Sequence, residues 1–288
     1  MKMKLLPLAA ALGFAGLTVI ATPIPDTCLT GGIAIGCQAW TFKEYSVMEA
    51  IDKTAAAGGK VIEFYPGQKF SADKPDQKFD HNASDEMIAA VKAKLAERSV
   101  RAVNYGVVGI PKDEAGARKI FDFAKKFELY GLTTESVDAL DMIEKLVKEY
   151  DIRVGFHDHQ RQPNNPGYKM WDPNYVLSVL KDRDARIGSC ADTGHWAQSG
   201  LKPVDCLKIL EGHIISVHLH DMNDMSGSSH DVPAGTGVCD VAGILAELKR
   251  QNFAGNVSIE YEYNWKDNVV DAAECIGFVR GYGAARKW

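Results

Sequence analysis

The chain has 288 residues, of which 46% are hydrophobic and 25% are charged, so it can bury a large core and is too apolar to be disordered. Its formal net charge is −5, and no basic run is longer than a pair such as Lys125 and Lys126. This balance argues against nucleic acid and anionic membranes as partners and favours a small-molecule substrate. It leaves self-association into a homo-oligomer open.

The first 25 residues differ in composition from the rest. Two lysines within the first four residues precede an uncharged apolar run over residues 5–21, which Pro7 interrupts and which ends just before Pro23. A positive start followed by a short apolar run is typical of a secretory signal peptide rather than of a membrane span. We therefore predict a signal peptide over residues 1–25, export to a bacterial periplasm, and no stable membrane insertion after cleavage.

From about residue 33, short apolar runs alternate eight times with longer amphipathic segments. Most of the apolar runs are too continuously apolar to be half exposed, which is typical of parallel strands buried on both faces. The predicted strands are Ile35–Phe42, Lys60–Tyr65, Arg101–Val108, Leu129–Thr134, Ile152–Phe156, Arg186–Ala191, Ile214–Leu219 and Asn256–Tyr261. The predicted helices are Val47–Ala57, Ser84–Arg98, Asp113–Phe127, Val137–Tyr150, Asn174–Asp182, Pro203–Glu211, Val241–Gln251 and Val269–Gly281.

This alternation predicts an α/β fold, a single-domain (β/α)8 TIM barrel over residues 26–288. No G-x-G-x-x-G motif follows the first strand, which argues against a doubly wound dinucleotide-binding sheet. Two long connections, Gln68–Asn82 and Gln160–Trp171, both follow strands. In a barrel they belong at the C-terminal face, where active sites are built, so they are candidate substrate loops.

Carboxylates and imidazoles recur where five successive strands are predicted to end. The five motifs are Thr133-Thr134-Glu135, His157-Asp158-His159, Asp192-Thr193-Gly194-His195, His218-Leu219-His220-Asp221 and Glu260-Tyr261-Glu262. Inside a barrel mouth such groups must find partners, because an unpaired buried charge is costly. Glu63, at the end of the second strand, is a further candidate for contact with a substrate.

A divalent cation is the simplest common partner of this mixed set of oxygen and nitrogen ligands. Carboxylates together with imidazoles suit Mn, Co, Zn, Fe or Ni better than Mg or Ca, which favour sites made of oxygen alone. His218 is the favoured histidine ligand, with His220 and Asp221 lying further out. The sequence therefore predicts a divalent metal ion as cofactor, of a kind that the residues do not identify.

These motifs resemble the xylose isomerase-like TIM barrels of the sugar phosphate isomerase/epimerase superfamily, which are related to ketose 3-epimerases, inosose dehydratase and endonuclease IV. The resemblance covers nearly the whole mature chain. It depends on the five motifs above, each at its strand end, together with Pro233-Ala234-Gly235-Thr236-Gly237. It implies a carbohydrate as substrate.

By this resemblance Asp192, His218 and Glu260 are three metal ligands. The fourth is open, because the ketose epimerases have a glutamate at the end of strand five, where this chain has His157. We favour Glu135 as the fourth ligand, with His157 at or beside the metal. This departure also leaves open which groups move protons, and the candidates are Glu135, His157 and Glu260.

The resemblance matches His195 to a substrate-binding histidine of the epimerases, and His159 and His220 are further candidates for substrate contact. The chemistry that such a set supports is proton abstraction next to a carbonyl, with a metal-stabilised enediolate. Reprotonation gives a sugar isomerase or epimerase. Loss of a β-substituent gives the alternative, an exported 3-keto-glycoside lyase. A non-catalytic carbohydrate-binding barrel is a third alternative.

Overall fold

The computed structural model describes residues 23–288. The predicted signal peptide over residues 1–25 therefore lies outside the described residues except for its last three, and both the peptide and export stay predictions. None of the helices in the described part of the chain is long and apolar enough to cross a membrane.

Eight parallel strands close into a barrel, and helices alternate with them along the chain, which confirms the predicted (β/α)8 fold. The ring order is β1-β10-β9-β8-β7-β6-β5-β2, and the two remaining strands, β3 and β4, form a separate antiparallel hairpin. The strands are β1 Ala34–Gln38, β2 Val61–Phe64, β3 Gln68–Ser71, β4 Lys74–Phe79, β5 Arg101–Tyr105, β6 Gly131–Thr134, β7 Arg153–His157, β8 Ile187–Asp192, β9 Ile214–Leu219 and β10 Asn256–Ile259.

Six of the helices begin where a short polar side chain accepts a free backbone N–H group of the first turn. Ser46 and Glu49 form a capping box at the first helix, and Ser84 and Asp113 each accept a backbone N–H at the next two. The helices are α1 Val47–Ala56, α2 Asp85–Arg98, α3 Glu114–Lys126, α4 Leu140–Tyr150, α5 Pro173–Leu180, α6 Thr193–Gln198, α7 Pro203–Ile209, α8 Val241–Arg250 and α9 Val269–Arg286.

The structure differs from the sequence prediction at the first strand. The predicted strand Ile35–Phe42 ends at Gln38, because the side chain of Gln38 accepts the backbone N–H of Trp40 at 2.7 Å and starts a 3-10 helix, Ala39–Phe42. This early end directs Trp40 towards the barrel mouth, where it lines a cavity.

Two elements escape the sequence prediction. The predicted loop Gln68–Asn82 contains the β3–β4 hairpin, and the short helix α6 begins immediately after β8. The hairpin strand β4 is exposed along most of its length and has no apolar alternation, so periodicity could not reveal it.

The N-terminal ends of the strands are closed by the segment that leads into β1. Ile24 is buried against Val61, Tyr130 and Ile215, which lie at or near the starts of their strands. The opposite, C-terminal end of the barrel stays open and carries the polar residues described below.

The hairpin is attached to the barrel through Phe79, and we expect Phe79→Ala to lower stability. The Phe79 ring is fully buried, with its centroid 5.3 Å from that of Phe64, 5.6 Å from Phe123 and 5.9 Å from Phe127. Loss of a buried aromatic ring costs about 3–5 kcal/mol of unfolding free energy, measured by urea denaturation. The neighbouring exposed Lys78→Ala is the control, and an equal effect of both variants would contradict this packing.

Candidate metal centre and active-site cavity

Asp192, the last residue of β8, divides its two carboxylate oxygens between a structural bond and the barrel mouth. Its Oδ1 accepts the backbone N–H of His195 at 2.7 Å and so caps α6, while its own N–H donates to Asp158 at 3.0 Å. Its Oδ2 is buried and has no hydrogen-bond partner within the described chain. The cap therefore holds this second oxygen in a fixed direction.

Gly194 and Thr193 attach the start of α6 to the neighbouring strand β9. The Thr193 hydroxyl donates to the carbonyl of His220 at 2.9 Å and accepts the N–H of the same residue at 2.8 Å. A Cβ on Gly194 would lie 2.7 Å from Cγ of His220, so only glycine fits this contact. The Asp-Thr-Gly-His motif is thus a helix start packed on β9, with its first carboxylate aimed into the mouth.

Asp192 meets three other side chains, from the ends of adjacent strands, and the ligand atoms of all four lie within 4.8 Å of one another. We call them the inner cluster, which consists of His157, Asp192, His218 and Glu260. His157 Nε2 lies 3.4 Å and His218 Nδ1 lies 3.8 Å from Asp192 Oδ2. His218 Nδ1 also lies 2.6 Å from Glu260 Oε2. Three of the four residues are at most 2% exposed, and Glu260 is 9% exposed.

The inner cluster fits a divalent cation. His157 Nε2, Asp192 Oδ2 and His218 Nδ1 are buried, and none of them makes a well-directed hydrogen bond within residues 23–288, although they lie close to one another and to Glu260. Burying a polar atom without a partner is costly, whereas a shared cation would satisfy all three atoms at once. Two imidazoles and two carboxylates are a donor set that suits Mn, Fe, Co, Ni or Zn.

Both histidines of the inner cluster turn their other ring nitrogen towards a carboxylate. His157 Nδ1 lies 3.0 Å from Glu135 Oε1, and His218 Nε2 lies 3.1 Å from Glu63 Oε2. A carboxylate behind a histidine orients the ring and raises the basicity of the nitrogen that faces the metal. This arrangement is common around metal-binding histidines.

Glu135 lies outside the inner cluster but forms a second group of possible ligands with His157 and His159, so its place as fourth ligand stays a prediction. Its Oε1 accepts hydrogen bonds from His157, His159 and the hydroxyl of Tyr168, the last at 3.1 Å. Burial alone would raise the pKa of Glu135, but the two imidazoles outweigh it and lower the pKa to about 2. The ring of His157 therefore separates Glu135 from Asp192.

Glu63 and His220 are also buried, beneath the side chains that line the open end of the barrel. Glu63 is fully buried, and its two oxygens accept hydrogen bonds from Thr133 at 2.8 Å and Ser258 at 3.1 Å. His220 is 4% exposed, with Nδ1 2.8 Å from Asp231 and Nε2 3.3 Å from Asp192. These positions suit side chains that orient the inner cluster better than side chains that touch a sugar.

The charges of the inner cluster are strongly interdependent. Burial lowers the pKa of His157, but the carboxylates of Asp192 and Glu135 more than offset it and hold the pKa well above its ordinary value. Burial raises the pKa of Asp192, and the surrounding imidazoles reverse this and hold the pKa well below its ordinary value. The site therefore concentrates carboxylate charge where a cation would bind.

A cavity of about 450 Å³ opens above the inner cluster, a size typical of small-molecule sites. The imidazoles on one side belong to His157, the last residue of β7, to His159 and to His195, which follows β8. His195 Nδ1 donates to the amide oxygen of Gln198 at 3.1 Å, so its Nε2 keeps a lone pair. Burial lowers the pKa of His195 to about 4. His159 and His195 thus line the cavity, and their contact with a substrate stays a prediction.

The opposite side of the cavity is aromatic, since β1 lies across the barrel from β7. Trp40 donates its indole N–H to Glu262 at 2.7 Å and meets Tyr65 edge-on, with ring centroids 4.9 Å apart. The ammonium of Lys43 lies 4.8 Å from the Trp40 ring and 3.4 Å from that of Trp265. These contacts hold the indole as a wall of the cavity.

Sequence reasoning missed Trp40, Gln38 and Tyr65 as cavity residues, whereas Gln160 begins a predicted substrate loop. The available signal was the position of Trp40 and Tyr65 just after strands one and two, which the over-long first strand concealed. Trp196, just after β8, is fully buried in the core and does not reach the cavity lining.

The glycine motif after β9 is organised by Asp221. Its carboxylate accepts the backbone N–H groups of Gly235 at 2.8 Å, Gly237 at 2.9 Å and Cys239 at 3.0 Å. A Cβ on Gly237 would lie 2.4 Å from that carboxylate, which explains the glycine. Asp221 therefore holds the loop that leads into α8.

A family model described as the xylose isomerase-like TIM barrel matches residues 131–278, about half of the chain. The chain belongs to this family. Among solved structures, this xylose isomerase-like barrel is 32% identical to an uncharacterized protein from Parabacteroides distasonis ATCC 8503. That match covers 86% of this chain and 98% of the other, with a TM-score of 0.68.

Two further solved structures share the fold of this xylose isomerase-like barrel at low identity. D-allulose 3-epimerase from Methylomonas sp. is 18% identical, with a TM-score of 0.67 over 87% of this chain and 98% of that chain. A 3-keto-D-glucoside 4-epimerase from E. coli is 14% identical, with a TM-score of 0.66 over 86% and 99%. A search among curated proteins finds no match to the sequence.

We expect Thr193→Val to lower the unfolding free energy by about 1–3 kcal/mol, because it leaves the buried N–H and carbonyl of His220 without a side-chain partner. Urea denaturation measures the change. Thr193→Ser keeps the hydroxyl and is the matched control, so it should lose clearly less. Equal losses in both variants would show that the methyl group, rather than the hydroxyl, stabilises this xylose isomerase-like barrel here.

Proposed function

We propose that the protein is a divalent-metal-dependent sugar isomerase or epimerase that removes a proton next to a carbonyl. The observation that carries the proposal is the convergence, beneath a cavity of small-molecule size, of buried ligand atoms of His157, Asp192 and His218 that lack well-directed hydrogen bonds. The shared fold with sugar epimerases supports the same class of reaction.

In this proposal His157, Asp192, His218 and Glu260 hold the cation. These residues would hold the cation, and the chemistry supplied there would be polarisation of a carbonyl oxygen, which lowers the pKa of the neighbouring carbon acid. Glu135 and Glu63 orient the two imidazoles from behind. The candidate catalytic role of Glu135 and His157 thus becomes one of holding and orienting, and Glu260 remains at the cavity wall.

Proton movement falls to groups that face the cavity from its two sides. His195 offers an unprotonated Nε2, since its Nδ1 hydrogen is bonded to Gln198. Glu262 lies on the other side beside Trp40, and burial and the nearby Glu260 raise its pKa. Two proton-moving groups on opposite sides are what epimerisation at one carbon requires. The Trp40 ring supplies an apolar face for the sugar.

Solvent exchange tests this function directly. Metal-loaded protein in deuterated buffer is expected to exchange the hydrogen on the carbon next to the carbonyl of a ketose or keto-sugar, measured by proton NMR. Chelation, or Asp192→Asn, should reduce the exchange to the buffer rate. Sugar binding that is unaffected by chelation, without exchange across the panel, would instead favour a non-catalytic carbohydrate-binding barrel.

The assignment of the fourth ligand has its own test. We expect His157→Ala to weaken Mn²⁺ binding by more than the roughly 10–100-fold that loss of an orienting partner causes in Glu135→Gln. Isothermal titration calorimetry on both variants measures the difference. If Glu135→Gln abolished binding while His157→Ala retained it, Glu135 would be the ligand.

Glu63→Gln tests the second orienting contact. The amide of the variant can still form hydrogen bonds with Thr133 and Ser258, but it carries no charge behind His218. Mn²⁺ affinity should therefore fall by about 10–100-fold. Glu128→Gln, on an exposed residue, is the charge-matched control. An unchanged affinity in Glu63→Gln would rule out this contact as a support for the metal centre.

Elimination remains the alternative outcome at the same carbon. If a 3-keto-glycoside carries a β-substituent, the enediolate can expel it instead of being reprotonated. Release of a chromogenic aglycone from a 3-keto-glucoside would identify a lyase, whereas exchange without release supports the isomerase or epimerase. A polar cleft beside the cavity leaves space for the second part of a glycoside.

A further inference from the structure

A second cleft, of about 760 Å³, lies beside the cavity, against the predicted substrate loop Gln160–Trp171. We call it the outer cleft. Its other walls are the end of α6 and the loop after β9, which contributes Met225 and Gly227. Its polar lining consists mainly of neutral side chains, namely Gln160, Gln162, Asn164, Asn165, Gln198 and Ser199.

The outer cleft is continuous with the cavity above the inner cluster. Gln160 lines both spaces. Gln198 lines the outer cleft and accepts the Nδ1 hydrogen of His195, whose ring lines the cavity. Ser199 donates its hydroxyl to the carbonyl of His195 at 2.7 Å and accepts the N–H of Arg161 at 2.9 Å. The same few residues therefore form the boundary between the two spaces.

The chemistry of the lining selects a neutral ligand with many hydroxyl groups. An amide side chain has two donor hydrogens and an acceptor, as vicinal hydroxyls require, and carries no charge. Part of this capacity is already used, because Gln198 bonds His195 and the carbonyl of Ser229, and Asn165 donates to Gln162 at 3.3 Å. Arg161 is the charged residue of the lining, and its guanidinium lies over the Trp171 ring at 5.2 Å. A phosphorylated or carboxylated ligand would find one partly engaged cation there, whereas a sugar ring would find an amide on several sides.

We infer that the outer cleft is a subsite for a second, neutral sugar residue, so that the substrate is a disaccharide or another glycoside rather than a free monosaccharide. The inference deepens the proposed function and rests on it for the assignment of the reacting ring to the cavity. The second sugar extends past Gln160, between the loop Gln160–Trp171 and α6. It binds through amide hydrogen bonds rather than through charge.

Calorimetry with metal-loaded protein tests the subsite without turnover. The probes are glucose and a disaccharide panel of cellobiose, maltose, trehalose and sucrose. At least one disaccharide should bind about tenfold more tightly than glucose, the effect of one or two net hydrogen bonds. The double variant Gln162→Ala/Asn164→Ala removes two exposed amides and should abolish that advantage.

Gln77→Ala removes an exposed amide on the β3–β4 hairpin and is the matched control, which should keep the advantage. The subsite would be overturned if none of the disaccharides bound more tightly than glucose. It would also be overturned if the double variant kept the tighter binding of the disaccharide. The two proposals fail separately. If the protein prefers a disaccharide but shows no hydrogen exchange, the subsite is supported and the proposed reaction is rejected. If it exchanges hydrogen on a monosaccharide but shows no disaccharide preference, the reaction is supported and the subsite is rejected.

Discussion

The structure depends on the burial of four ionisable side chains at the open end of a hydrophobic barrel. Asp192 shows how the backbone holds these side chains in place. One of its carboxylate oxygens caps α6, and this bond fixes the other oxygen beside His157 and His218. Without a shared partner these atoms would suffer the full cost of desolvation. In the proposed function a cation resolves this conflict, and the fold holds the side chains that would bind it in fixed directions.

The remaining polar residues of the barrel follow from that constraint. Glu135 and Glu63 lie behind the two imidazoles, where they orient the rings and where a sugar cannot reach Glu63. The groups left to meet a substrate are those at the rim, His195 on one side and Trp40 with Glu262 on the other. A polar floor, an aromatic wall and an amide-lined extension are the features on which the proposed carbohydrate site rests.

The sequence was sufficient for the barrel and for the strand ends that bear the site, because parallel strands place their C-terminal residues at one edge. It could not decide between Glu135 and His157. His157 is the last residue of β7 while Glu135 lies just past β6, and the stagger between neighbouring strands, which sets their relative depth, leaves no mark in the sequence. Trp40 escaped because a side-chain cap at Gln38 ends β1 inside an apolar run.

The most direct measurement is the position of a bound cation in crystals of the protein soaked with Mn²⁺, located by anomalous scattering. The account predicts one strong peak about 2.0–2.3 Å from His157 Nε2, Asp192 Oδ2, His218 Nδ1 and a Glu260 oxygen, with Glu135 outside the coordination sphere. A peak bound instead by Glu135 and His159, or no peak at the inner cluster, would contradict it.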